Sequence, residues 1–151
     1  MKVALGSDHA GFPLKEKVKA FLREKEIDFT DFGTFCENSV DYPDIVVPVA
    51  RGIKTGEFQY GILICGTGVG MAIAACKYTG IRAALCGDSY TARCAREHND
   101  ANILTLGARV TGPGLALEIV DIFLKTPFSG GRHQNRINKI AMIEKSERNF
   151  Y

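Results

Sequence analysis

The chain predicts an α/β fold: a single-domain, three-layer α/β/α sandwich around a five-stranded parallel sheet. Three observations carry this. Five short apolar runs of strand length alternate with segments whose apolar residues recur at helical spacing. The third run ends on Cys65 and passes at once into Gly66-Thr67-Gly68-Val69-Gly70, a strand-to-helix junction. At 151 residues the natural count is one domain with one core.

Lys2–Leu5 is the first strand, ending at Gly6-Ser7-Asp8-His9. Pro13 suits the first turn of a helix, where an N–H has no partner to lose. Leu14, Val18, Phe21 and Leu22 carry that helix to about Arg23. Ile27–Phe32 is the second strand, closed by Gly33. Ser39–Asp44 is a loop and cap, and a helix runs from about Ile45 to Lys54 with Gly56 as its stop and Pro48 four or five residues inside. Tyr60–Ile64 is the third strand, followed by a helix over Met71–Lys77. Ile81–Leu85 is the fourth strand, Ser89–Arg96 a helix, and Ile103–Leu106 the fifth strand. Gly112 and Pro113 open a last core helix to Leu124, with an apolar face of Leu115, Leu117, Ile119, Val120, Ile122 and Phe123. The tail from Gly130 to Tyr151 is basic and weakly helical at Ile137, Ile140 and Ile143, a pattern expected to pack on another surface such as a second subunit. Strands alternating with helices imply right-handed crossovers and a parallel, Rossmann-like sheet covered on both faces. Ligands of such sheets gather at the carboxyl ends of strands, where Asp8-His9, Cys65–Gly70, Gly87-Asp88 and Gly107–Arg109 all fall.

Hydrophobic residues make up 46% and charged residues 24%, the balance of a soluble globular chain. No apolar run approaches the ~18 residues of a membrane span. The first residues enter a strand directly, so no signal peptide is expected. A net charge of +2 is too small to argue for nucleic acid. The five cysteines are odd in number and include no Cys-x-x-Cys pair, so neither a disulfide framework nor a zinc site is expected. Reduced thiols fit a cytoplasmic protein. Cys76, Cys86 and Cys94 read as small buried hydrophobes, and Cys36 has no assignment.

Gly66-x-Gly68-x-Gly70 is not the dinucleotide fingerprint: the third glycine comes one residue early and the loop follows the third strand. Nor is it a Walker loop, because Lys77 comes too late. What it offers is N–H donors for an anion beside a thiol. A phosphate cradle has no need of that thiol, whereas a proton-transfer site can use it. Arg132 and Arg136, four residues apart, would share a helix face and suit bidentate capture of phosphate, with Arg109 as a third candidate. The alternative is a solvated basic face paired with Glu144 and Glu147. Histidine occurs only as His9, His98 and His133. A Cys–His–Asp set also fits a thiol hydrolase, and no spacing rule places Cys65 within reach of His98.

Six segments now stand in order: Ser7-Asp8-His9-Ala10-Gly11, Asp41-Tyr42-Pro43, Ile64 to Gly70, Gly80-Ile81-Arg82-Ala83, His98-Asn99-Asp100-Ala101-Asn102 and Gly130-Gly131-Arg132-His133-x-x-Arg136. Together the chain resembles the type B ribose-5-phosphate isomerases, within the sugar-phosphate isomerase family that includes galactose-6-phosphate isomerase subunits. The resemblance covers residues 1 to about 145. It implies interconversion of ribose 5-phosphate and ribulose 5-phosphate, a step of the non-oxidative pentose phosphate pathway, through a cis-enediolate after ring opening, with no metal or organic cofactor. It implies Cys65 as the base, Thr67 bonded to base or sugar, and backbone N–H groups of Gly66, Thr67, Gly68, Val69 and Gly70 around the enediolate oxygen. It implies His98 as the acid that protonates the ring oxygen, with Asp8 helping to bind or deprotonate a hydroxyl. Arg132, Arg136, His9 and Arg109 would take the phosphate, Asn99 a sugar hydroxyl, and Tyr42 would line the pocket. Some members carry a glutamate where this chain has Met71, which cannot accept a proton, so the resemblance favours Cys65. Cys76 stands where asparagine is expected. The pocket lies between subunits in this family, so a homodimer is implied, while the sequence leaves a tetramer open. Two other readings are a six-carbon sugar phosphate as substrate (allose or galactose 6-phosphate) and a non-catalytic sugar-phosphate binding module.

Overall fold

The structure, a computed structural model, describes residues 1–148. Its elements are β1 (Lys2–Ser7), α1 (Phe12–Glu24), β2 (Asp28–Asp31), α2 (Tyr42–Lys54), β3 (Tyr60–Cys65), α3 (Val69–Ala75), β4 (Ala83–Leu85), α4 (Ser89–Glu97), β5 (Ile103–Gly107), α5 (Pro113–Lys125) and α6 (Arg132–Arg148). The five strands are parallel in the order β2-β1-β3-β5-β4, as the expected α/β/α architecture requires. The strand order turns back between β1 and β3, and a crevice opens at such a reversal beyond the carboxyl ends.

β3 is central and all six of its residues are buried. Its side chains alternate between the two faces. Ile62 and Ile64 join Val3, Leu5, Leu104 and Leu106 under α1, α4 and α5, while Leu63 and Cys65 join Ala4 and Ile103 under α2 and α3. Each fully buried Ile or Leu stabilises the fold by roughly 1.5–3 kcal/mol.

Several boundaries differ from the sequence reading. α2 starts at Tyr42 rather than Ile45, because Pro43 occupies its first turn after the extended Asp41 cap. Pro48 is thus well inside the helix. α3 starts at Val69 rather than Met71, inside the glycine loop. β2 and β4 are trimmed to four and three residues. The weakly patterned tail forms a 17-residue helix, and residues 149–151 of the expected tail lie outside the described residues. Only Cys86 of the three presumed core thiols is buried; Cys94 is half-buried, and Cys76, just past the end of α3, is exposed. No helix among the described residues is long and apolar enough to cross a membrane.

A buried ion pair fixes the edge of the sheet next to the switch point. Lys15 is fully buried, its Nζ 2.5 Å from Asp31 Oδ1 and 2.6 Å from the Thr34 carbonyl oxygen. Asp31 also accepts the Gly33 N–H and pairs with Lys19 at 2.9 Å. Gly33 and Thr34 are in turn hydrogen-bonded to Ser7, at the end of β1. Burial by itself pushes the Asp31 carboxyl up; hydrogen bonds from Lys15, Lys19 and Gly33 outweigh this and hold it below the ordinary aspartate value. A value lower in the folded state than in the unfolded chain stabilises the fold above a pH of about 3.9, and that contribution is lost on further acidification. Lys15→Ala should cost about 3 kcal/mol at pH 7, the low end for a broken buried pair because Lys19 still faces Asp31. Urea midpoints of wild type and variant should converge as the pH falls below that value.

Candidate active site

Cys65 is the last residue of β3 and only 5% exposed. Its Sγ accepts the Gly68 N–H at 3.1 Å. That bond needs a loop doubling back on itself. Gly68 has φ +80, and a Cβ there would stand 2.5 Å from Leu85 Cδ1. The end of β5 closes on the same loop: Ala108 N donates to the Cys65 carbonyl at 2.8 Å and Arg109 N to that of Gly66 at 3.0 Å. The Arg109 side chain lies along Gly66, its Cδ and Nη1 each 3.5 Å from where a Cβ would be. Tyr42, exposed at the start of α2, brings its hydroxyl 2.9 Å from the corresponding point on Gly70. Thr67 is exposed, and its Oγ1 accepts the Val69 N–H at 3.4 Å.

Across the switch point, Asp8 N donates to the Ile64 carbonyl at 3.1 Å, and Asp8 Oδ1 accepts the Gly11 N–H at 2.9 Å. The turn is tight enough that a Cβ on Gly11 would fall 2.3 Å from the Ile64 oxygen. His9 Nδ1 accepts the Val40 N–H at 3.3 Å, so a neutral His9 carries its proton on Nε2. Cys65, Gly66–Gly70, Asp8, His9 and Arg109 therefore assemble at the carboxyl rim, as the strand ends predict, and the start of α2 adds Tyr42.

His98, Asn99, Arg132 and Arg136 do not join them. His98 follows α4 as its cap. Asn102 lies beside the first residues of β3, where its carbonyl accepts the Gly61 N–H at 2.9 Å. The amino rim thus holds the His98–Asn102 segment. Gly61 and Cys65 are four residue steps apart along the strand, ~13 Å of rise. Ser129 N donates to the Glu97 carbonyl at 3.0 Å, which brings the start of α6 to the same rim. Arg132 and Arg136 are exposed there, and among the described residues neither is in an ion pair. The carboxylate of Glu144 binds the Gly80 N–H instead. Asn99 is exposed, and its carbonyl accepts Arg82 Nε at 3.0 Å. Asp100, at φ +44, holds Arg82 and Arg96 at 2.8 Å each and shapes this turn. One residue had no role in the sequence reading: His133, whose ring stacks on His98 with centroids 4.3 Å apart and planes 12° from parallel. Its sequence signals were scarcity and its place in the segment Gly130-Gly131-Arg132-His133-x-x-Arg136, which was read for its arginines alone.

Among the described residues no three His, Cys, Asp or Glu side chains converge on a point where a metal could sit. Cys86, the other buried thiol, is pushed up to about 11, chiefly by burial, and is inert as a nucleophile at neutral pH. The described residues therefore hold a thiol that accepts a backbone N–H on one rim, and an imidazole with two guanidinium groups outside any ion pair on the other.

Comparison with known proteins gives these two rims a context. Residues 3–140 match the Ribose/Galactose Isomerase family. Ribose-5-phosphate isomerase B of Escherichia coli is 48% identical over 143 residues, 95% of this chain and 96% of that protein. D-erythrulose-4-phosphate isomerase of Pectobacterium atrosepticum is 43% identical over 98% of each chain. Among solved structures, that of Clostridium thermocellum Ribose-5-Phosphate Isomerase B has a TM-score of 0.96 at 55% identity, covering 97% of this chain and 99% of that one. Sequence agrees over nearly the whole length of both partners with each of these three, fold as well with the third, and the chain belongs to the ribose/galactose isomerase family.

Proposed function

We propose that this chain interconverts D-ribose 5-phosphate and D-ribulose 5-phosphate, a reaction of the non-oxidative pentose phosphate pathway, and that its site is completed by a second copy of the chain. The observation that carries the chemistry is the Gly68 N–H 3.1 Å from the Cys65 sulfur. A donor aimed at the sulfur is placed to bond the thiolate, the form that removes a proton from carbon. Cys65 takes the proton from C2 of the open aldose while its C1 carbonyl oxygen gains negative charge. The same thiol then returns a proton to C1, and the hydroxyl proton passes from the C2 oxygen to the C1 oxygen, with Asp8 beside the crevice as its carrier. The N–H groups of Gly70 and Met71, in the first turn of α3, have no intrahelical partner and are the donors assigned to that oxyanion. One such donor is worth ~3–4 kcal/mol of barrier. Thr67 and Tyr42 line the same rim.

Ring opening and phosphate binding need the other rim. His98 supplies the acid for the ring oxygen, Asn99 a partner for a sugar hydroxyl, and Arg132 and Arg136 the phosphate clamp, with His9 and Arg109 approaching from the sulfur side. A pentose phosphate cannot bridge ~13 Å of strand rise plus the loops beyond it within one chain. A two-fold dimer that sets the amino rim of one copy over the carboxyl rim of the other resolves this. Val69, Ile73 and Leu85 near the sulfur, and Ile140, Met142 and Ile143 on α6, are exposed apolar side chains that such a contact would cover. A cytoplasmic setting suits a site that depends on a free thiol.

Three measurements test this reading. Cys65→Ala should abolish both isomerisation and exchange of the C2 proton of ribose 5-phosphate in heavy water, followed by NMR, while the sugar still binds; full activity in that variant removes the assigned base. Equimolar subunits of Cys65→Ala and Arg132→Ala, each inactive alone, should regain roughly a quarter of wild-type activity after mixed refolding, because half the dimers are mixed and each has one intact site. No recovery means the two rims do not meet between copies. Finally, kcat/KM should be highest for the five-carbon substrate when four-, five- and six-carbon sugar phosphates are compared; a preference for the four-carbon sugar would align the chain with the Pectobacterium relative, and for six carbons with a hexose phosphate.

A further inference from the structure

We propose that His133 is a positioning residue for the acid: its ring sets the plane of the His98 imidazole and ties that ring to the arginines that take the phosphate. This inference rests on the reading of His98 as the group that protonates the ring oxygen. The two imidazoles lie face to face, 4.3 Å between centroids and 12° from parallel. His133 and Ile137, four residues apart, are the buried positions of the first turns of α6. Arg132 and Arg136, each one residue earlier, are exposed. One rigid stretch of helix therefore carries the stack on its inner face and the clamp on its outer face.

His133 is not held as structural histidines usually are. It is 8% exposed, its Nδ1 is buried, and that nitrogen has no hydrogen-bond partner among the described residues. Buried ring nitrogens are ordinarily satisfied, so what locates this side chain is the face of its ring. His98 for its part is the C-cap of α4, one residue past its last turn and still in the right-handed helical region, with its N–H bonded to the Cys94 carbonyl at 2.9 Å. The neighbouring ring supplies a flat wall for an imidazole in that position. Gly130 and Gly131, at φ +62 and +56, make the turn that starts α6 beneath it, and His133 N donates to the Gly130 carbonyl at 3.0 Å. Burial, then His98, Arg132 and Arg136, all disfavour a proton on His133, with Glu97 opposing them. A protonated His98 thus faces a neutral ring rather than a second cation.

The two sugars separate ring opening from proton transfer. Ribose 5-phosphate is mostly a closed furanose, whereas ribulose 5-phosphate, with its C5 oxygen phosphorylated, cannot close a five-membered ring onto C2. Deuterium exchange at C1 of ribulose 5-phosphate therefore reports the base and the clamp but not the ring-opening acid. His133→Ala should lower kcat on ribose 5-phosphate about tenfold, a part of what a positioned acid contributes, with KM and the C1 exchange rate unchanged. His133→Phe, which keeps a flat ring, should recover most of the loss. Equal losses in isomerisation and exchange with a raised KM would mean that His133 only holds α6 in place, and wild-type kcat in His133→Ala would mean that the stack does nothing; either overturns the inference. His98→Asn, run in parallel, keeps the two levels apart. If it converts ribose 5-phosphate normally, the assigned acid itself falls; if it fails while His133→Ala does not, only the stacking role falls.

Discussion

A parallel sheet has two unlike rims, and everything else about this molecule depends on that. All five strands end on the same side, so the turns after β1, β3 and β5 share one rim while the turns that enter β4 and β5 share the other. The first rim receives the thiol, the carboxylate of Asp8 and the glycine loop. The second receives an imidazole and, through the return of the chain into α6, a pair of guanidinium groups. Strand rise alone keeps them apart by ~13 Å. That separation is the ground for the proposal that a second copy of the chain completes the site.

Close packing holds the sulfur rim in shape. The loop after Cys65 passes so near its neighbours that side chains are excluded at defined points: Leu85 faces Gly68, the Thr67 carbonyl faces Gly107, and Tyr42 faces Gly70. Each contact brings backbone, with its N–H groups, to where a side chain would otherwise stand. The same closeness accounts for Gly11 against the Ile64 oxygen, which sets Asp8 beside the end of β3. Charge does comparable work at the sheet edge, where Lys15 is sealed among Asp31, the Thr34 carbonyl and the rings of Phe12 and Phe35. That cluster fixes the chain after β2, and the loop that follows reaches His9 through Val40.

Much of this was legible beforehand. Apolar runs at Val3–Leu5, Tyr60–Ile64 and Ile103–Leu106 named the three central strands, because strands buried on both faces have no polar alternation to blur them. Boundaries were harder where proline acts twice: Pro43 starts α2 while Pro48 is tolerated within it. Cys76 looked like core and is exposed, since a helix of seven residues ends before the chain returns to the sheet. α6 carried a weak pattern because its apolar residues divide between an inward face at Ile137 and an exposed set at Ile140, Met142 and Ile143.

By itself the sequence determined the layers and the order of the elements and singled out the candidate groups for the chemistry, since periodicity, glycine spacing and residue chemistry are local properties of the chain. Only the tertiary structure decided that His98 and the paired arginines lie across the sheet from Cys65, that Gly68 points its N–H at the sulfur, and that His133 lies flat on His98. Those facts depend on which strand neighbours which and on how closely backbones approach, and no local spacing encodes either.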